Sequence, residues 1–252
     1  MRETVTRLEL FYASPLGLAA RRMIRRRLET LWPNVAGKDM LGFGYGWPAL
    51  EPYSHQANRV ILAMPEEQGA LAHANHRGIM TCLTEEDRLP FSDASFDLVL
   101  CMHALEEAQN LPVLLRELWR VTQPEGRIVV IASNRSGLWA RSDKLPFGAG
   151  RPFSKTQLRG ALSQAGFMPT VSSGALYLPP VRRLATPRIA KGFERFGETV
   201  WPTFSGLVLV EAVKRLYAEP EGLKRGYVRR PSFGSRPIAN RDMREMETQR
   251  ES

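Results

Sequence analysis

The stretch from Leu89 to Asn134 constrains the fold more than any other part of the chain, because it reads as a strand, a helix and a second strand framed by turn signals. Phe96-Asp97-Leu98-Val99-Leu100-Cys101 is a short, nearly continuous apolar run, the pattern of a strand covered on both faces. Leu111, Leu114, Leu115, Leu118 and Val121 recur at steps of three and four, with Arg116, Glu117 and Arg120 between them, which predicts a helix lying on a sheet. Pro124-Glu125-Gly126 reads as the stop of that helix, and Arg127-Ile128-Val129-Val130-Ile131-Ala132 as a second buried strand. Strand, helix, strand in this order implies parallel pairing through a right-handed crossover, so the class is α/β.

With 252 residues, 43% of them hydrophobic, the chain can bury one substantial core. Its organisation reads as a basic helical segment over residues 1–33, an α/β domain over 34–218 and a polar tail over 219–252, expected to be disordered for want of apolar content. No apolar run approaches the roughly 20 residues needed to span a bilayer, and the N-terminus lacks a signal-peptide core, so a cytoplasmic protein without a membrane span is expected. Cys82 and Cys101 fall in or beside apolar strands and read as small hydrophobes. His55, His73 and His76 have no metal-ligand arrangement, and no metal is expected.

The net charge of +9 is partly local. Arg21, Arg22, Arg25, Arg26 and Arg27 share a predicted helix whose apolar face is Leu16, Ala19, Ala20, Met23, Ile24, Leu28 and Leu31. A solvated basic face is the favoured reading. Contact with nucleic acid or an anionic surface through Arg21–Arg27 is the other, and no interleaved aromatic pattern supports a single-strand platform.

Lys38-Asp39-Met40-Leu41-Gly42-Phe43-Gly44-Tyr45-Gly46 is a short strand entering a loop with glycine at alternate positions. Glycine there permits positive φ and lets the backbone approach a ligand at the end of the first strand of a doubly wound sheet. A tight connection uses the same residues, and Pro48 and Pro52 argue against a long regular helix after it.

Taken in order, Gly42 to Gly46, Leu89-Pro90-Phe91-Ser92-Asp93-Ala94-Ser95-Phe96-Asp97, Leu105-Glu106 and Pro124-Glu125-Gly126-Arg127 resemble the class I S-adenosylmethionine-dependent methyltransferases, and within them the type 11 methyltransferase domain, over about Asp39 to Phe167. The resemblance implies a Rossmann-like, doubly wound sheet of seven strands, six parallel and one antiparallel. Phe167–Val171 and Ser205–Ala212 are available for the last two, with a basic, helical insertion at about 179–202 between them. It also implies S-adenosylmethionine as cofactor. Gly42, Phe43, Gly44 and Gly46 would pass along its methionine part, Met64 would lie at the end of the second strand, and Glu85 would face the adenine amine. Met102 and His103 would border the transferred methyl group, with His103 the candidate general base because its ordinary pKa suits that work. Glu106 and Glu107 read as helix-start acids favoured by the dipole.

Two positions depart from the family pattern. Met40 stands where an acid usually precedes the glycine loop, with Asp39 one step away on the other strand face, and Ala63-Met64 stand where a carboxylate usually takes the ribose hydroxyls. Glu66 and Glu67 follow only beyond Pro65. Loss of such a charge-assisted contact costs about 1.5–3 kcal/mol. The expected function is methyl transfer to a small-molecule acceptor, with Trp139, Phe147, Arg151 and Phe153 offering an aromatic pocket with a cationic rim. The alternative is a non-catalytic binding or regulatory protein of the same fold that engages an anionic partner. The sequence leaves the oligomeric state open.

Overall fold

The computed structural model describes residues 3–75, 78–142 and 145–216; the tail expected at 219–252 and His76 lie outside them. Two helices lead, α1 (Val5–Ala13) and α2 (Pro15–Leu31). Only Ser14 separates them: its hydroxyl accepts from Gly17 N at 3.1 Å, and Pro15 supplies the first residue of α2. There follow β1 (Asp39–Gly44), α3 (Trp47–Leu50), β2 (Arg59–Pro65), β3 (Thr81–Thr84), β4 (Phe96–Met102), α4 (Leu111–Val121), β5 (Thr122–Ser133), α5 (Lys155–Gln164), β6 (Phe167–Ala175), α6 (Pro187–Val200) and β7 (Leu207–Lys214).

These strands form a seven-stranded sheet in the order β3-β2-β1-β4-β5-β7-β6. β7 runs antiparallel to both neighbours and the other pairings are parallel, as the sequence predicts. The apolar runs divide by parity. Met40, Leu62, Met64, Leu100, Met102, Val129 and Ile131 pack under α1, α2 and α3, whereas Leu41, Phe43, Val99, Cys101, Ile128 and Val130 pack under α4 and α5. Both faces of the sheet are therefore covered, which is why the central strands read as continuous apolar runs.

The structure differs from the sequence reading in two places. Helix α4 ends at Val121, and β5 starts immediately at Thr122, so Pro124-Glu125-Gly126 lies inside the strand as a bulge where the register with β4 shifts, with Glu125 at φ 59°. The arginines of α2 are also less free than the pattern suggests. Arg21 and Arg25 reach Glu51, and Arg27 lies 3.8 Å from Glu194 of α6, leaving Arg22 and Arg26 exposed.

Two side chains fasten long loops to this frame. Asn134, just past β5, donates through Nδ2 to Thr203 O at 2.9 Å and to Ser205 O at 2.8 Å. Arg120 of α4 donates to Leu89 O, Phe91 O, Asp93 and Glu117, so one guanidinium holds the whole connection before β4. Replacing it removes the side-chain donor from the Phe91 carbonyl, leaves the Leu89 carbonyl only the Phe91 N–H, and takes from Glu117 its ion-pair partner. Arg120→Ala is expected to lower stability by about 1–3 kcal/mol, seen as an earlier denaturant midpoint at unchanged m-value; an unshifted midpoint would refute this role.

Candidate active site

The sheet changes direction between β1 and β4, and in open α/β sheets the crevice at that point is the usual ligand site. Gly44, at φ 77°, pairs with Met102 there. A Cβ on Gly44 would stand 2.3 Å from the Met102 carbonyl oxygen and 2.9 Å from Ala104 Cβ. One on Gly42 would stand 2.7 Å from Leu50 Cδ1. Gly44 is thus required by the backbone around it, whereas at Gly42 a side chain would meet only the ends of Leu50 and Leu62, which can shift.

Next in the chain His103 adopts φ 54°, uncommon for a residue with a Cβ, and its surroundings are well defined. The imidazole stacks on Phe147, with centroids 4.7 Å apart, and its Nε2 lies 2.8 Å from the Tyr12 hydroxyl of α1. Burial pulls the His103 pKa down to about 3, so the ring is neutral, and burial pushes the Tyr12 phenol up. A protonated phenol beside a neutral imidazole assigns the roles: Tyr12 donates and Nε2 accepts. Phe11 meets Phe147 and Trp139 edge-on, with centroids 5.8 and 6.4 Å away, and Tyr12 packs on Tyr45. The His103 carbonyl accepts from Gln68 Nε2 at 2.8 Å.

Glu106 is buried on a 3-10 turn ahead of α4, which Asn110 caps instead. Its Oε1 accepts from Ser133 N at 2.7 Å and from the Ser133 hydroxyl at 3.1 Å, and burial raises its pKa. Its Oε2 and the Oε1 of Gln68 are buried without a hydrogen-bond partner. Glu107 accepts from Glu3 N, tying the start of the N-terminal segment to the same turn. Neither acid therefore does the capping work expected of it.

The other end of the crevice is open. A cleft of about 450 Å³ past β2 and β3 is lined by Pro65, Glu66, Glu67, Thr84, Glu85, Glu86, Asp87, Gln109, Asn110 and Val113. Gln109 organises it, donating from Nε2 to Glu67 at 2.5 Å and from its backbone N to Glu86 at 3.1 Å. Asp39 is far from this chemistry at the opening of β1, where it holds Asn58 and Arg59.

Of the residues singled out in the sequence, Glu85 lines this cleft, while Gly42, Gly44, Gly46, Met102 and His103 surround the β1–β4 junction and are buried. Met64 is wholly buried under the α1 and α2 layer, and Phe43 packs on the α4 side of the sheet. Trp139 and Phe147 join the aromatic group at His103, whereas Phe153 packs on the α4 side and Arg151 is exposed. Phe11, Tyr12, Tyr45 and Gln68 escape sequence reasoning. The adjacent aromatics ending α1 are a visible signal, but nothing local says where that helix docks.

The donor set suits S-adenosylmethionine in two parts. Carboxylates line the cleft where adenosine would lie, and Gln68 and Glu106 offer free buried acceptors at the methionine end. That second end is covered: Met64 and Met102 are 0 and 1% exposed and His103 6%, under Tyr12 and its neighbours.

Residues 40–130 match the family model described as a methyltransferase domain. Similar curated proteins include a demethylmenaquinone methyltransferase of Corynebacterium efficiens, 33% identical over 109 residues, covering 43% of this chain and 47% of that protein. A malonyl-[acyl-carrier protein] O-methyltransferase of Pectobacterium atrosepticum is 30% identical over 125 residues, covering 46% and 49%. The chain thus spans about half the length of these relatives. Among solved structures, a SAM-dependent methyltransferase from Thermotoga maritima superposes with a TM-score of 0.60 at 17% identity, covering 84% of this chain and 96% of that one, a likeness of fold. The domain match and the strand order agree: residues 40–130 are similar to the methyltransferase domain family, and they lie in a sheet with the strand order of the class I, S-adenosylmethionine-dependent methyltransferase fold.

Proposed function

We propose that the protein methylates a small hydroxylated aromatic acceptor with S-adenosylmethionine, and that the described arrangement is the closed, resting form of its site. The observation that carries this reading is the Tyr12 hydroxyl on His103 Nε2, at 2.8 Å, inside a group formed by Phe11, Trp139 and Phe147. A phenol already occupies the position that an acceptor hydroxyl needs, beside the strand end where the family carries its transferred methyl group. S-adenosylmethionine, when bound, supplies an electrophilic methyl group on sulfur.

The chain's own work is to orient the acceptor and take its proton. With α1 in place His103 is too weak a base. Once water or a ligand replaces Tyr12, its pKa returns toward the ordinary value of about 6.5 and Nε2 can accept the acceptor's proton. Phe147 fixes the ring plane. Glu85 and the neighbouring acids of the cleft suit the hydrogen-bond donors of adenosine, as the free acceptors of Gln68 and Glu106 suit the cationic methionine part.

A second reading, a binding protein without turnover, draws support from Met64 at the ribose position and from the covered methionine end. Calorimetric titration with S-adenosylhomocysteine separates the two. Gly44 is a poor probe, since any side chain there disturbs the sheet; Glu85 is exposed and Tyr12 can be trimmed by its hydroxyl alone. We expect micromolar binding, weakened about tenfold or more by Glu85→Ala and strengthened by Tyr12→Phe. No heat from the wild-type protein or Tyr12→Ala at millimolar ligand would leave the non-catalytic reading standing.

The same closure has a pH signature. The folded His103 pKa lies below its unfolded value, so its contribution is complete above about pH 6.5 and is lost as pH falls toward 3, where unfolding takes up a proton. Glu106, with a raised pKa, works in the opposite sense, so the informative quantity is the difference between the wild type and His103→Asn. Between pH 6.5 and 3 the wild type should lose more stability than the variant, by on the order of a few kcal/mol. Parallel stability curves would remove His103 from a buried, neutral state.

A further inference from the structure

Helix α6 seats Phe193 against the core, yet it also places large apolar side chains on its outward face, which a helix packed on a body usually keeps polar. Its inner side carries the buried Glu194, whose Oε2 accepts from Tyr177 N at 3.1 Å, and Gly197, pressed against the Tyr177 ring. Its outward side carries Ile189, Phe196 and Val200, at steps of seven and four, and the turn after it adds Trp201 and Phe204. These five side chains are 41, 53, 47, 56 and 59% exposed. Phe196 and Trp201 pack edge-on against each other, with centroids 5.5 Å apart, so the patch is continuous at its centre.

Scattered exposed apolar residues are ordinary, but a cluster marks a contact surface. Counting Val181, six of the eleven large exposed hydrophobics among the described residues fall in 181–204, including every exposed Phe and Trp. Charge then selects the partner. Arg182, Arg183 and Arg188 are exposed at the head of the same helix, and α6 packs beside α2, whose Arg22 and Arg26 are exposed on a chain of net charge +9. Aromatic and aliphatic groups beside arginines, on a helix lying flat on the body, match the boundary of an anionic bilayer, where rings sit at headgroup depth and each cation gains from the negative surface potential. A nucleic acid would use the arginines and leave Ile189 and Val200 in water.

We propose that the outward face of α6, with Trp201 and Phe204, docks the protein on an anionic lipid surface. No helix of the described residues is long and apolar enough to cross a membrane, so the contact is one of lying on the surface. The inference stands apart from the methyl-transfer reading and does not need it.

The test is co-sedimentation of the full chain with large vesicles of mixed phosphatidylglycerol and phosphatidylcholine, against vesicles of phosphatidylcholine alone. The wild type is expected to pellet with the anionic vesicles, less at high salt. Partitioning should fall about tenfold or more on phosphatidylcholine, in Phe196→Ser/Trp201→Ser and in Arg182→Glu/Arg183→Glu, and stay unchanged in Leu10→Ser, an exposed apolar residue elsewhere. Circular dichroism melts serve to check that each variant is folded. Absence of pelleting, or equal pelleting of wild type and both double variants, would overturn the proposal. So would a dimer in sedimentation velocity that Phe196→Ser/Trp201→Ser dissolves without any vesicle binding, since the patch would then join two copies of the chain.

Discussion

The closeness with which β1 can approach β4 governs everything at the upper edge of the sheet. At Gly44 the backbone takes a left-handed turn with the Met102 carbonyl where a side chain would begin, and His103, one residue past that partner, takes a left-handed turn of its own. Two such residues side by side break the ladder sharply and bring the imidazole to the mouth of the crevice. The left-handed His103 is the more strained of the two, and its stacking on Phe147 and the bond to Tyr12 hold it there. The glycine loop therefore acts first as a packing device, and any ligand role is built on that.

Buried carboxylates supply the second layer of organisation. Glu106 binds the backbone of Ser133, Glu194 the backbone of Tyr177, and Glu211 meets Arg127 and Thr170. Each joins separate segments from within the body, although the Arg127 partner of Glu211 is itself half-exposed and so partly screened by solvent. Lys214 works alike from the other sign, giving its ammonium to the Thr122 carbonyl at 2.7 Å while lying over the Trp119 ring.

Much of this was legible in the sequence because it is local. The runs 96–101 and 127–132 carry the alternation that sends odd and even residues to opposite layers, and the heptad-like spacing of Leu111 to Val121 marks the helix between them. The glycine loop and Glu85 declare themselves by position relative to those strands. What local pattern cannot carry is a contact such as Tyr12 with His103, 91 residues apart, or the choice of Asn110 over Glu106 as the cap of α4. Proline and glycine signal an interruption without saying which element they interrupt, so the bulge at Glu125 carries the same local signal as a helix stop. The second, outward apolar stripe of α6 reads in the sequence only as a basic helical insertion, since periodicity does not say which stripe faces the core.

Asn134 gives these parts a shared fastener. It grips residues 203–205, where the aromatic patch ends at Phe204, and it is the immediate neighbour of Ser133, whose N–H and hydroxyl hold the buried carboxylate of Glu106. A force applied to the Thr203–Ser205 turn must either tear those hydrogen bonds or drag the end of β5 with it. The rim of the sheet and the crevice behind it thus behave as one mechanical linkage, with a single amide as the pin.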